Sequence, residues 1–310
     1  MRDLSRGASL ERGRAAALSS APITEIARAK VNLHLHVTGR RDDGYHLLDS
    51  LVVFPELGDA IEVEASSVLS LTIAGTFAGA LGAGPDNLVL RAAEALRAEA
   101  GVTAGAAIRL TKSLPLASGI GGGSADAAAT LRALIRLWRL DLAPARLAAL
   151  ALRLGADVPV CLSAAPRWMS GIGEDLAPAP ALPPCWLVLA NPLRDTPTPA
   201  VFAALTRRDA QHAARPIAPF ADAGALAGWL SGLRNDLEPA AEGLIPEIAD
   251  IRTAIAAQPG CLLARMSGSG ATCFGLFTGA EDALAARAAL PPRLWRAAAP
   301  LGKRAAVNAS

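Results

Sequence analysis

Lysine and tyrosine are nearly missing from this chain. Three of its thirty basic residues are lysine (Lys30, Lys112 and Lys303), and Tyr45 is the single tyrosine. The formal net charge is only +2 and no basic cluster stands out, so nucleic acid is not an expected partner. The four cysteines (Cys161, Cys185, Cys261 and Cys273) form no CxxC pair and no metal-ligand spacing. They read as reduced thiols of a cytoplasmic protein. The longest uncharged stretch, residues 65–85, contains a GxxxG (Gly75 to Gly79) but also four glycines and five Ser/Thr residues. A strand and a glycine-rich loop fit it better than a membrane span, so no membrane is expected. Residues 1–20 carry four arginines without an apolar core, which excludes a secretory signal. They read as a flexible N-terminal extension, although an Arg-rich, Ser-containing start also suits an organelle transit peptide.

Alanine is what the chain has in excess: seventy of 310 residues. Enough bulky apolar residues remain for a folded core, and the length suits one large domain or two. Residues 23–38 read as one strand whose Val31, Leu33, Leu35 and Val37 face a core, while Lys30, Asn32, His34, His36 and Thr38 share the other face. A turn over 39–44 leads to a strand from Tyr45 to Phe54, and further strands follow over 60–64, 68–74 and 106–112. Helices are expected over 87–100, 124–140 and 144–155, the first and last ending on glycine. The apolar VPVCL after Asp157 reads as a short strand. Beyond residue 164 come proline-rich connections (177–184 and 191–199), a strand over 186–190, alanine-rich helices, and a strand pair over 262–266 and 271–277. A helix from Glu281 and a strand near Leu294 close the chain. Without strict βα alternation the class is α+β in two domains, residues 21–163 and 164–310.

The segment Pro115-Leu116-Ala117-Ser118-Gly119-Ile120-Gly121-Gly122-Gly123-Ser124-Ala125 carries the strongest chemical signal. Its glycines free the backbone to turn N–H groups inward, and a helix starts at once, which makes an anion cradle suited to a di- or triphosphate. The bland alternative is a flexible surface loop with a serine cap. No GK[ST] follows, so this is not a Walker A loop, and Ser124 stands where a GxGxxG would need its third glycine. No GxSxG elbow exists for serine hydrolysis. Lys30 reads as a solvated strand-end lysine or, beside Asn32 on a polar face, as a functional one. Asp157 suits a cap at a helix end, or a general base for a hydroxyl if a lysine lies beside it. His34 and His36 share a strand face, but no acidic cluster adjoins them, so a hydrogen-bonded pair is preferred to a metal site. Met266 to Thr272 is a second glycine-rich turn, either a plain hairpin or a source of backbone donors. Arg234 to Pro239 reads as helix-start chemistry.

Taken in order, Ala29-Lys30-Val31-Asn32-Leu33 with Gly39 to His46, Pro115 to Ala128, Gly155-Ala156-Asp157-Val158-Pro159 and Met266 to Gly275 resemble the GHMP-type small-molecule kinases over about residues 22–300. The Lys-x-Asn strand with Asp-Gly-Tyr-His, and Gly-Ala-Asp-Val-Pro, resemble the members that phosphorylate CDP-methylerythritol on the non-mevalonate route to isoprenoids. The resemblance implies an N-terminal domain like ribosomal S5 domain 2, a ferredoxin-like C-terminal domain, and ATP on the 115–125 loop between them. It assigns Asp157 as the base and Lys30 as the residue that orients it and stabilises the developing alkoxide. Asn32, Tyr45, His46, Thr198 and Phe202 match substrate-holding positions, with Tyr45 and Phe202 on two sides of the cytosine. Mg2+ is implied by the reaction, with Ser124 the one nominated ligand. The enzyme is expected to be a monomer or weak homodimer.

Three departures accompany the resemblance, one being residues 1–20, which have no counterpart. Val52 stands where some members have an aromatic, with Phe54 on the same strand face, and Ala125 replaces a second serine after the glycines. A homoserine- or mevalonate-type kinase is the rival enzyme, and a silent nucleotide-binding module the rival class. Asp-Gly-Tyr-His argues against the first, because an aromatic beside a hydrogen-bonding histidine suits a nucleobase. Intact Lys30 and Asp157 argue against the second.

Overall fold

The computed structural model describes residues 21–208 and 210–302. The expected extension over residues 1–20 lies outside them. Twelve strands form three four-stranded sheets among the described residues. The first has the order β1 (Ile23–Arg28), β4 (Gly58–Ser66), β6 (Gly105–Thr111), β5 (Leu69–Ala74). β5 and β6 run parallel, because the helix α1 (Leu88–Ala100) carries the chain back between them. The second sheet is the antiparallel series β2 (Val31–Arg40), β3 (His46–Val53), β7 (Arg167–Gly171), β8 (Asp175–Pro178). The third has the order β10 (Leu263–Met266), β11 (Cys273–Phe277), β9 (Cys185–Asn191), β12 (Trp295–Leu301), all antiparallel. With helices between β9 and β10 and between β11 and β12, this is the ferredoxin-like arrangement.

The helices obey the end signals in the sequence. Asn87 caps α1 by accepting from Val89 N at 3.0 Å, and Gly101 closes it with φ 63°. The α2 helix (Gly122–Trp138) buries Ala125, Ala127, Ala128, Ala129 and Ala133, so the alanine excess serves close packing against β1, β4 and α1. α3 (Pro144–Leu154) and α4 (Val158–Ser163) complete the first core. A second core lies between β2, β3 and the inner face of the third sheet, under α6 (Ala223–Ser231). A third lies beneath α5 (Thr198–Ala203), α7 (Glu238–Leu244), α8 (Glu247–Ala256) and α9 (Ala280–Ala289).

Three local expectations are corrected. The strand expected over 23–38 is two strands in different sheets. Backbone partners change at the junction, where Ala29 N donates to Leu57 O and Lys30 N to Ile120 O of the glycine loop. VPVCL is the helix α4. Its apolar run reads like a strand because three of its residues are buried, and Pro159 sits in the first turn, where its missing N–H costs nothing. The β7–β8 hairpin, with Gly171 and Gly173 at positive φ in its turn, takes in residues 177 and 178 of the expected 177–184 connection.

Candidate active site

The glycine loop stands between β6 and α2 and is held by its neighbours. Ser118 Oγ donates to Pro115 O at 2.8 Å, Ser267 Oγ to Gly119 O at 3.2 Å, and Thr272 N to Ser118 O at 3.2 Å. Gly119, at φ +71°, passes so close to the 267–270 turn that a Cβ would lie 2.6 Å from Gly270 O. Gly121, at φ +64°, has room for no more than the Lys30 side chain, whose Cβ would be 3.1 Å from an added Cβ. The glycines thus let two loops and a lysine converge on one cleft.

That cleft encloses about 1050 Å³. Lys30, Asn32, Ala117, Ser118, Gly119 and Asp157 line it at one end, together with Gly121 to Ser124. Tyr45, His46, Thr198 and Phe202 line the other end. Of the expected phosphate-loop residues, Pro115, Leu116, Ile120 and Ala125 do not face it. Ile120 and Ala125 are buried in the second and first cores, while Leu116 lines a smaller neighbouring cavity of about 370 Å³ beside Asn87 and Gly123. Val52 and Phe54 belong to the first core, and neither lines the cleft.

Lys30 Nζ lies 2.9 Å from Asp157 Oδ2. The ammonium comes from the β1–β2 junction and is buried, whereas the Asp157 side chain, at the α3–α4 junction, is 38% exposed. The Asp157 carboxylate makes no capping bond to α4, leaving it with one face on Lys30 and the other toward the cleft. Asn32 is buried and receives its orientation from Ser50: its Nδ2 donates to Ser50 Oγ at 2.8 Å, and Ser50 Oγ donates to His34 O at 2.6 Å. At the far end the His46 ring stacks on Phe202 at 4.8 Å and 25°, while Tyr45 is 58% exposed beside them. Burial, then the charges of Arg208 and Arg40, pull the His46 pKa below its ordinary value, keeping the imidazole neutral. Thr198 Oγ1 and Ser269 Oγ are 2.9 Å apart, joining α5 to the 267–270 turn.

His34 and His36 lie outside this cleft chemistry. His34 Nε2 meets Asp49 Oδ2 at 3.3 Å and His36 Nδ1 meets Gln211 O at 2.9 Å. His36 thus holds the segment after α5 against β2, while His34 ties β2 to Asp49 of β3, which itself accepts from Ala213 N at 2.9 Å. Among the described residues no three His, Cys, Asp or Glu side chains group as a metal site. The oxygens that line the cleft near the glycine loop include Ser124 Oγ and the Asp157 carboxylate. That donor set fits a magnesium ion that keeps its other ligands from phosphates and water.

Sequence reasoning missed Arg40 and Arg208, which line the same cleft as His46 and Phe202. Arg40 lies inside the Gly39 to His46 motif and could have been read there, whereas no pattern around Arg208 marks it. It also left Lys112 without a role. That lysine is buried against Asp59 and Asp126 behind the loop.

The chain matches the GHMP kinases N terminal domain over residues 87–165 and the GHMP kinases C terminal domain over residues 218–297. It is 57% identical over 266 residues to a 4-diphosphocytidyl-2-C-methyl-D-erythritol kinase of Cereibacter sphaeroides, covering 86% of this chain and 93% of that protein. A Paramagnetospirillum magneticum protein of the same name is 54% identical over 279 residues, covering 89% of this chain and 97% of its own length. A crystal structure of 4-(cytidine 5'-diphospho)-2C-methyl-D-erythritol kinase superposes with TM-score 0.75 at 36% identity, over 91% of this chain and all of that one. Homoserine kinase from Cytophaga hutchinsonii shares the fold at TM-score 0.66 and 20% identity, over 91% of this chain and 95% of that one. The chain belongs to the GHMP kinases and, within them, to the 4-diphosphocytidyl-2-C-methyl-D-erythritol kinases.

Proposed function

We propose that this protein transfers the γ-phosphoryl group of ATP to the 2-hydroxyl of 4-diphosphocytidyl-2-C-methyl-D-erythritol, with Asp157 as base and Lys30 as its partner. The observation that carries this reading is the 2.9 Å Lys30–Asp157 pair set in one cleft between a glycine loop and an aromatic pair. The loop and the start of α2 present backbone N–H groups to the triphosphate. Lys30, 2.9 Å away, holds the Asp157 carboxylate aimed at the hydroxyl. As the alcohol oxygen attacks, Asp157 takes its proton and the ammonium faces the developing negative charge. Positioning and charge stabilisation are most of what phosphoryl transfer asks of a protein.

Tyr45, Phe202 and neutral His46 suit the cytosine, and Asn32 and Thr198 the remainder of the substrate. Magnesium, when bound, supplies charge neutralisation on the phosphates, and Ser124 Oγ is the loop oxygen that would hold it. No helix among the described residues is long and apolar enough to cross a membrane. A cytoplasmic monomer or weak homodimer that binds no nucleic acid completes the reading. Its test is ADP release with CDP-methylerythritol as acceptor, for wild type and Asp157→Asn. No turnover by the wild type would sink the substrate assignment, and full activity in the variant would sink the role of Asp157.

A further inference from the structure

Lys112 Nζ lies 2.5 Å from Asp59 Oδ2 and 2.7 Å from Asp126 Oδ2. All three side chains are almost completely buried. Asp59, on β4, spends its other oxygen on the backbone: Oδ1 accepts from Ser113 N at 2.6 Å and Leu114 N at 2.8 Å, the two amides that open the glycine loop. Asp126 sits one turn inside α2, the helix that closes the loop. Gly122, the first residue of that helix, has only 3.1 Å between an added Cβ and Lys112 Nζ, so the ammonium passes directly beneath the helix start. Both ends of the loop are therefore tied to one buried ammonium.

Stability alone is a poor reason for such a cluster, since apolar residues of similar volume commonly serve a core as well as a buried ion pair. Charge accounting also leaves it short of one cation. Burial first, with Asp59 adding and Lys112 opposing, raises the Asp126 pKa to about 7. The two carboxylates outweigh the desolvation of Lys112 and raise its pKa.

We propose that Asp59, acting through Lys112 and Asp126, is a positioning residue for the phosphate cradle: it fixes where the loop amides and the first turn of α2 stand, without touching the nucleotide. The inference deepens the kinase reading above and rests on it for its catalytic consequence. Displacing a phosphate cradle by about an ångström is enough to cost one or two orders of magnitude in transfer.

The variants are chosen to keep charges paired. Asp59→Asn leaves Lys112 with Asp126, and Asp126→Leu leaves Lys112 with Asp59, whereas Asp126→Asn retains an acceptor for Lys112. The clamp predicts at least a tenfold loss in kcat/KM for ATP in Asp59→Asn and Asp126→Leu, with KM for the alcohol substrate within about twofold of wild type. Asp126→Asn should recover most of that loss. Backbone hydrogen exchange over residues 113–124 should quicken in the first two variants and not in the third. Equal changes in both KM values, or unchanged exchange in folded Asp59→Asn, would overturn the proposal. Exchange decides the clamp even if the wild type released no ADP, an outcome that would sink the kinase reading alone.

Discussion

Lys30 and Asp157 stand 2.9 Å apart, although 127 positions of chain separate them, and each is placed by a change of direction in the backbone. Lys30 ends the passage from the first sheet to the second, and Asp157 ends the passage from α3 to α4. Replacing Asp157 with Asn preserves its shape and removes both the charge and the basic oxygen. Steady-state kinetics should then show kcat reduced at least about a hundredfold, with both KM values little changed and an unaltered thermal transition. Lys30→Met should lower kcat as well, by removing the cation that faces the developing alkoxide.

The aromatic end of the cleft should act on one substrate only. A nucleobase stacked on an aromatic ring gains about 1–3 kcal/mol, so Phe202→Ala should raise KM for the cytidine-bearing substrate roughly tenfold. Tyr45→Ala should act in the same direction, and KM for ATP should stay put in both. Comparable weakening of ATP would mean that the ring serves the general shape of the cleft. In the free protein Phe202 is stacked by His46, so nucleobase entry would have to share or displace that contact.

Gly119 is the tightest point between the two glycine turns. An alanine there must adopt φ +71° and put its methyl 2.6 Å from Gly270 O. The backbone strain alone is of order 1–3 kcal/mol, and the clash adds to it. Gly119→Ala should therefore lower the thermal transition by several degrees and weaken ATP. Gly123→Ala, where an added Cβ meets nothing within 4 Å, is the control expected to retain the wild-type transition.

How far the sequence foretold this site depends on what each signal was. The glycine loop is legible because turn chemistry is local, and the ends of α1 are legible for the same reason. Local signals leave Lys30 and Asp157 open between structural and functional readings, and only the resemblance pairs them. The break at Ala29–Lys30 was not, since alternation of apolar residues runs smoothly through it and only the partners of the backbone change. α4 was misread because six residues are too few to distinguish a buried helix from a buried strand by periodicity. Lys112 stayed without a role because Asp59 and Asp126 lie 53 and 14 positions away in the chain. A buried ion cluster leaves no periodic trace.

Acid should loosen the segment after α5. Asp49 is buried and its carboxylate accepts from His34, from Ala213 N at 2.9 Å and from His212. Burial opposes its charge, yet those hydrogen bonds prevail and hold its pKa well below the usual carboxylate range. A depressed folded pKa means stability that is present above about pH 3.9 and is lost as pH falls further. His34 adds an earlier effect. Burial lowers its pKa, so the unfolded chain takes up its proton first and stability declines as pH drops below about 6.5. Thermal transitions measured from pH 8 to pH 3 should fall in both windows, and Asp49→Asn should flatten the lower one. A wild-type transition independent of pH would contradict this account of the cluster.

A kinase that selects a cytidine-diphosphate-linked alcohol through one cleft must discriminate among acceptors. The most direct measurement is ADP release with CDP-methylerythritol, homoserine and mevalonate offered separately to the wild type and to Asp157→Asn. Turnover is expected with CDP-methylerythritol alone, reduced at least about a hundredfold in the variant. Turnover with homoserine or mevalonate but not with CDP-methylerythritol, or an Asp157→Asn enzyme as fast as the wild type, would contradict it.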